Sequence, residues 1–329
     1  MPSAPLAVYT DVDDLDPTPG VHLLRAAGFR VEVLETRDEE EILAAAQDAQ
    51  ALLVGYAPIP ASLIERLPRL RVIALLSRGW DTVDVEAATQ RGVWVANLDD
   101  LSSDEVADHT WVLAGALLRD LPFHQAAVRR GDWLARRMPP PRRLSTVTVG
   151  LLGLGRIGAK VAARAAGQVA EVIGHDPWLP DGVAVPHVRR APLDEVLAAA
   201  DVVSLHLPLT DDTHHLVDPG FLARMRPGSR LVNTARGGLV DVGALTAALD
   251  SGQLSGAALD VLDVEPPAAG HPLLQRDDVL VTPHVAYLSD VTRRTYVTEQ
   301  ATNVLEWART GRPVSPVNDV TPATTGGTR

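Results

Sequence analysis

The sequence has no cysteine. That removes disulfide frameworks, thiolate zinc sites, iron–sulfur clusters and cysteine nucleophiles from consideration. Lysine is almost as scarce: Lys160 is the only one, and the other basic residues are arginines. With Ala, Pro and Arg abundant, this reads as compositional bias and carries no information on mechanism. Aromatic residues make up only 4% of the chain. No apolar run approaches the ~18–20 residues of a membrane helix. The opening Met1-Pro2-Ser3-Ala4-Pro5 lacks the basic and apolar regions of a signal peptide. Positive charge is also short. A net charge of −12 argues against generic binding to nucleic acid or an anionic membrane. The expectation is a soluble, cytoplasmic protein that needs no covalent staples.

What is present is enough for two domains: 329 residues, 46% hydrophobic and 22% charged. Strand-like runs alternate with helix-like ones through the first hundred residues. The strands are Leu6–Thr10, Arg30–Leu34, Ala51–Gly55, Arg71–Leu76 and Gly92–Ala96. This alternation predicts a parallel sheet covered on both faces. Ser102-Ser103-Asp104-Glu105 opens a long helical stretch reaching about Arg130, with Ser102 and Glu105 spaced as a capping box. Its apolar run Val106–Leu118 predicts burial at a domain or subunit contact. Met138-Pro139-Pro140-Pro141 reads as a stiff connector. A second alternating series follows: Val147–Leu152, Val169–Gly174, Val202–Leu205, Leu231–Asn233, Ala257–Leu259 and Val279–Val281. A last helix is expected from Ser289 to Gly311, then a disordered tail over 315–329. The fold class is therefore α/β, with two doubly wound parallel sheets.

The second series opens on Gly153-x-Gly155-x-x-Gly158, between an apolar β-branched strand and the Ala-rich helical stretch Ala159–Ala166. That context turns a weak motif into a dinucleotide fingerprint. Gly153 permits the tight turn, Gly155 lets the backbone approach a pyrophosphate, and Gly158 lets helix and strand pack closely. The free N–H groups after Gly155, from Arg156 and Ile157 onward, meet the phosphates with the positive end of the helix dipole. Asp176, at the end of the next strand, stands where an acid receives the ribose hydroxyls and repels a 2′-phosphate. NAD is the expected cofactor.

Ten histidines make any single one uninformative. Three later segments stand out because a charged group or imidazole follows a strand-like run: Asn233-Thr234-Ala235-Arg236-Gly237, Asp260-Val261-Leu262-Asp263-Val264-Glu265-Pro266, and Thr282-Pro283-His284. Ligands bind at the carboxyl ends of strands in such sheets. With the fingerprint, these segments make the chain similar, from about Leu6 to Asn318, to the D-isomer-specific 2-hydroxyacid dehydrogenases. That family includes phosphoglycerate dehydrogenase, formate dehydrogenase and the C-terminal-binding-protein corepressors. The resemblance implies a Rossmann NAD-binding domain (102–287) inserted into a flavodoxin-like substrate domain (1–101 and 288–329).

It also implies roles. Arg236 binds the substrate carboxylate and carbonyl, His284 is the general acid/base, and Glu265 orients its imidazole. Asp260 contacts the nicotinamide carboxamide. His206 and Pro208 border the cofactor riboses, and Thr234 and Ala235 approach the nicotinamide ribose. The long helix implies a homodimer. The implied activity is hydride transfer between NAD(H) and C2 of a 2-hydroxy or 2-keto acid.

Substrate identity is expected in the loop Ser77-Arg78-Gly79-Trp80. Arg78 there resembles the phosphonate (phosphite) dehydrogenase branch, which suggests a second anionic group on the substrate. Tyr287 after His284 resembles the corepressor-type members, and Tyr56, Trp80 and Tyr287 are candidate pocket walls. Phosphite oxidation and an NAD-sensing scaffold are the alternative readings.

Overall fold

The computed structural model describes residues 4–12, 15–133, 140–180 and 182–320. The chain divides into two compact units. One comprises Met1–Leu101 with Ser289–Arg329, the other Ser102–Leu288.

In the first unit, β1 (Leu6–Tyr9), β2 (Arg30–Val33), β3 (Ala49–Val54), β4 (Val72–Leu75) and β5 (Trp94–Ala96) form one sheet in the order β2-β1-β3-β4-β5, every pair parallel. This is the flavodoxin-like order, whose switch point lies between β1 and β3. Strands β1, β3, β4 and β5 are almost wholly apolar because both faces of the sheet are covered there, whereas edge strand β2 (Arg-Val-Glu-Val) is largely exposed. Leu6, Val8, Leu52, Val54, Ile73 and Leu75 enter one core. The alternate residues Ala7, Tyr9, Ala51, Leu53, Val72 and Ala74 enter the other. The C-terminal helix Thr292–Thr310 covers that second face, and its buried Gln300 donates to the carbonyls of Val54 and Ala74.

In the second unit, β6 (Thr148–Leu152), β7 (Glu171–His175), β8 (Arg189–Arg190), β9 (Val202–Leu205), β10 (Ser229–Asn233), β11 (Leu254–Leu259) and β12 (Val279–Val281) are all parallel. Their order, β12-β11-β10-β9-β6-β7-β8, is the dinucleotide-binding order with one strand added at the edge. Two helices matter for the site. One is α1 (Ser103–Leu118), which packs Ala107, Leu113, Ala114 and Leu117 into one core of this sheet. The other is α2 (Arg156–Ala165), tied to α1 by ion pairs of Lys160 and Arg164 with Asp104 at 2.5 and 3.1 Å.

Three expectations need correction. The long helix is two helices, broken at Asp120 (φ +52°) before a second helix, Leu121–Arg129. Pro122 in its first turn cannot continue the preceding hydrogen-bond ladder. Ser102 makes no side-chain cap, so the capping box is not formed. The tail is ordered as far as it is described. Val317 N–H donates to Val95 O at 2.7 Å, and Asn318 Oδ1 accepts from Val95 N–H at 2.8 Å. The exposed side of edge strand β5 offers backbone groups that this segment satisfies. Residues 321–329, and Met138 and Pro139 of the connector, lie outside the described residues. Among the described residues, no helix is long and apolar enough to cross a membrane.

Candidate active site

The glycine fingerprint lies at the carboxyl end of β6 and leads into α2, whose N-cap is Gly155. A Cβ on Gly158 would lie 2.1 Å from the carbonyl oxygen of Gly153, so only glycine allows helix and turn this close. At Gly155 the space a Cβ would take is open to 4 Å, leaving the helix N-terminus approachable. Asp176 follows β7 and accepts the N–H of Leu154 at 2.8 Å and of Trp178 at 3.0 Å. Its carboxylate therefore also holds the glycine turn in place. A cavity of about 570 Å³ opens beside it, lined by His175, Asp176, Pro177, Leu179 and Arg190 among others. Arg190 spends its guanidinium on the carbonyls of Leu179, Pro180 and Val183. The open turn, the helix N-terminus and the acid fit a dinucleotide without a 2′-phosphate.

His206 follows β9 and sits against this turn, with its Nε2 3.0 Å from Ser204 Oγ. Burial pushes its pKa down to about 4, so the ring is neutral near pH 7 and supports the turn. The Pro208 carbonyl accepts the Thr213 hydroxyl within the same loop.

The three loops after β10, β11 and β12 carry the remaining residues. Buried Asn233 shapes the first, accepting Ala235 N–H at 3.0 Å and donating to Arg236 O at 2.8 Å. Arg236 Nη1 donates to Ala235 O at 2.8 Å. Behind the loop, Thr234 Oγ1 is 2.7 Å from Thr110 Oγ1 on α1. Gly237 meets the second loop directly: a Cβ there would be 1.9 Å from Leu262 O.

In the second loop, Glu265 Oε1 accepts Leu262 N–H at 2.8 Å and Oε2 lies 2.7 Å from His284 Nδ1. Burial pushes the Glu265 carboxyl upward. The hydrogen bond and charge of His284, the Leu262 N–H and the charge of Arg236 outweigh it, leaving the group below its ordinary range. The carboxylate therefore stays ionised at neutral pH. It contributes stability above the unfolded pKa of about 4.3, which is lost as pH falls through the lowered folded value.

His284 itself has φ +54°, a left-handed backbone uncommon outside glycine, though asparagine, aspartate and histidine adopt it more often than other residues. Asp260 accounts for it. Its side chain is buried, and Oδ1 accepts from Thr282 Oγ1 (2.6 Å) and Val285 N–H (3.0 Å), while Oδ2 accepts from Ala286 N–H (2.8 Å). The His284 N–H donates to the carbonyls of Asp260 and Thr282. Sequence reading placed Asp260 at the nicotinamide. The structure surrounds its carboxylate with these protein donors, wrapping the turn that presents His284.

The first unit carries the other sequence candidates. Tyr56 lies after β3 at the switch point, its N–H bound to Asp11 Oδ2 at 2.7 Å and its ring 5.2 Å from the Arg37 guanidinium carbon. Asp11 also accepts the N–H groups of Gly55 and Ala57 and pairs with Arg37 at 3.1 Å. The Ser77–Trp80 loop follows β4. Ser77 Oγ donates to Gly79 O, and Asn97 Nδ2 to Arg78 O. The Arg78 guanidinium turns to Asp99, 3.1 Å from its carbonyl and 3.7 Å from its carboxylate. Trp80 is 47% exposed. Tyr287 belongs to the second unit, three residues after His284.

Sequence reading missed Asn233 as a brace, and it missed His109 on α1, whose Nε2 is 3.0 Å from Thr282 Oγ1. The available signal was the polar stretch Asp108-His109-Thr110 inside an otherwise apolar helical run.

Residues 111–286 match the family model described as D-isomer specific 2-hydroxyacid dehydrogenase, NAD binding domain. The chain is 38% identical over 291 residues to D-3-phosphoglycerate dehydrogenase of Methanocaldococcus jannaschii, covering 87% of this chain and 55% of that protein. It is 34% identical over 313 residues to glyoxylate reductase of Thermofilum pendens, covering 92% of each. It thus spans about half the length of the phosphoglycerate dehydrogenases it matches and nearly all of that reductase. The fold also superposes on a crystal structure of D-lactate dehydrogenase from Aquifex aeolicus complexed with NAD and lactic acid, with a TM-score of 0.82 and 27% identity, covering 93% of this chain and 96% of that one.

Proposed function

Because the chain belongs to the D-isomer-specific 2-hydroxyacid dehydrogenase family, we propose that it reduces a small 2-keto acid to the D-2-hydroxy acid, using NADH. The observation that carries this reading is the His284–Glu265 pair at 2.7 Å, with the Glu265 loop packed against the one that bears Arg236. Bound NADH supplies the hydride. The Arg236 guanidinium receives the substrate carboxylate and stabilises charge developing on the carbonyl oxygen. With Nδ1 held by Glu265, His284 delivers a proton from Nε2 to that oxygen, and the ionised Glu265 stabilises the imidazolium that donates it. The near-complete alignment with a glyoxylate reductase supports a compact substrate such as glyoxylate or hydroxypyruvate. A second substrate anion at Arg78 would have to compete with the contacts of this guanidinium to Asp99.

The test is NADH oxidation at 340 nm against glyoxylate, hydroxypyruvate, pyruvate, phenylpyruvate and phosphonopyruvate. The reading predicts turnover with the first three. Silence across all five, with NADH bound, would overturn it.

Asp176 should set the cofactor. Asp176→Ala is expected to narrow the preference for NADH over NADPH by about tenfold, and to weaken both through loss of the Leu154 hold. An unchanged ratio of kcat/KM values would remove the ribose role.

We also propose a homodimer. The second helix of the α1 segment, Leu121–Arg129, buries no residue, and Leu121, Val128 and Trp133 are exposed in and just after it. A second copy of this surface would cover them. Light scattering giving a monomer mass at assay concentrations would refute this.

A further inference from the structure

We propose that His109 and Thr110, adjacent on α1, are positioning residues that brace two of the catalytic loops from behind. Thr110 holds the Arg236 loop and His109 holds the His284 turn. The inference rests on the reading of Arg236 and His284 given above.

The hydrogen-bond directions can be worked out from the partners. Thr110 Oγ1 donates to Val106 O at 2.7 Å, so its lone pair receives the Thr234 hydroxyl, also at 2.7 Å. Thr234 is two residues before Arg236, and Asn233 and Ala235 continue the same constrained loop. On the other side, Thr282 Oγ1 donates to Asp260 Oδ1 at 2.6 Å. The His109 Nε2 atom, 3.0 Å from that hydroxyl, must then be the donor, which places a hydrogen on Nε2. The same nitrogen lies 3.6 Å from Asp260 Oδ1. Asp260 in turn fixes the N–H groups of Val285 and Ala286, on the far side of the left-handed residue His284.

The chain His109–Thr282–Asp260 thus ends on the backbone that presents the catalytic imidazole. A left-handed conformation of a non-glycine residue is unfavourable and persists only where its surroundings over-determine it. Here those surroundings are Asp260, with Thr282 and His109 behind it. Because His109 and Thr110 share one helical turn, they also give the two loops a common reference. A displacement of about 1 Å in such a constellation can cost about a hundredfold in rate.

The test is a double-mutant cycle with a conservative rescue. His109→Leu and Thr282→Val should each lower kcat about tenfold or more, with the KM for NADH little changed, since the glycine turn is untouched. The double variant should lose about as much as one single variant, because one relay is cut in both. His109→Gln, which keeps a donor near the Nε2 position, should recover most of the loss. Full additivity, or equal impairment in His109→Leu and His109→Gln, would overturn the proposal. A second readout does not need turnover. 15N-edited NMR of the histidine rings should show His109 protonated on Nε2, and the His284 resonances should shift in His109→Leu. An Nδ1 tautomer, or unmoved His284 signals in folded His109→Leu protein, would refute the brace even if no keto acid were reduced. A brace supported by NMR beside an inactive parent would instead fault the assigned reaction.

Discussion

His284→Asn is expected to lower kcat for keto-acid reduction by about 10²–10⁴-fold, the usual worth of a positioned acid or base, while NADH affinity stays within a fewfold of the parent. Asparagine is the substitution to make because His284 has φ +54°. Asparagine tolerates that backbone better than alanine, so the change removes the proton donor with less disturbance of the turn. Its amide is not a Brønsted acid near neutral pH and cannot replace the imidazolium. The loss should appear in kcat and in kcat/KM together, as for an interaction made in the transition state. Steady-state kinetics, alongside NADH fluorescence titration, would check this. Turnover near that of the parent would take His284 out of the chemistry.

Gly237→Ala should be nearly as damaging, through contacts within the protein itself. A Cβ at this position would meet Leu262 O at 1.9 Å, Leu262 C at 2.0 Å and Asp263 N at 2.6 Å. These are backbone atoms, which cannot rotate aside as a side-chain end can. The Arg236 loop and the Glu265 loop would have to separate. That moves the Arg236 guanidinium relative to the Glu265–His284 pair. The expected result is a fall in kcat/KM of about a hundredfold or more, with a lower Tm from the broken contact. Gly238→Ala is the control. Its nearest neighbour would be Leu209 Cδ2 at 3.0 Å, the flexible end of a side chain. Similar behaviour of the two variants in kinetics and thermal unfolding would show that the 237–262 contact does not govern the site.

Much of the architecture was legible from the chain alone, because it is written in local patterns. Two-sided strands such as Leu6–Tyr9 and Val72–Leu75 are continuous apolar runs, and the turns and helices between them repeat at the spacing of a parallel sheet. The glycine turn was readable because each glycine answers a constraint within a few residues of itself, such as Gly158 against Gly153 O. Arg236, Glu265 and His284 stood out because each follows a strand in a short, distinctive segment, and the roles proposed for them came from the family resemblance.

What the chain did not disclose depends on partners distant in sequence. Arg78 was read as facing substrate, but its nearest acceptors came from Asp99, brought alongside by packing after β5. The tail after Ser315 reads as disordered from composition, yet an open strand edge at β5 gives Val317 and Asn318 backbone partners. Asp260 reads as a ligand group, and only the folded turn shows three protein donors closing around it. His109 carries no motif, and its partner Thr282 lies 173 residues away. Composition, periodicity and motif spacing therefore determined the layers and the glycine turn, and marked the segments that carry the candidate site residues. Which groups hold those side chains in place was decided by tertiary packing, because a hydrogen bond between distant segments exists only once both have been buried side by side.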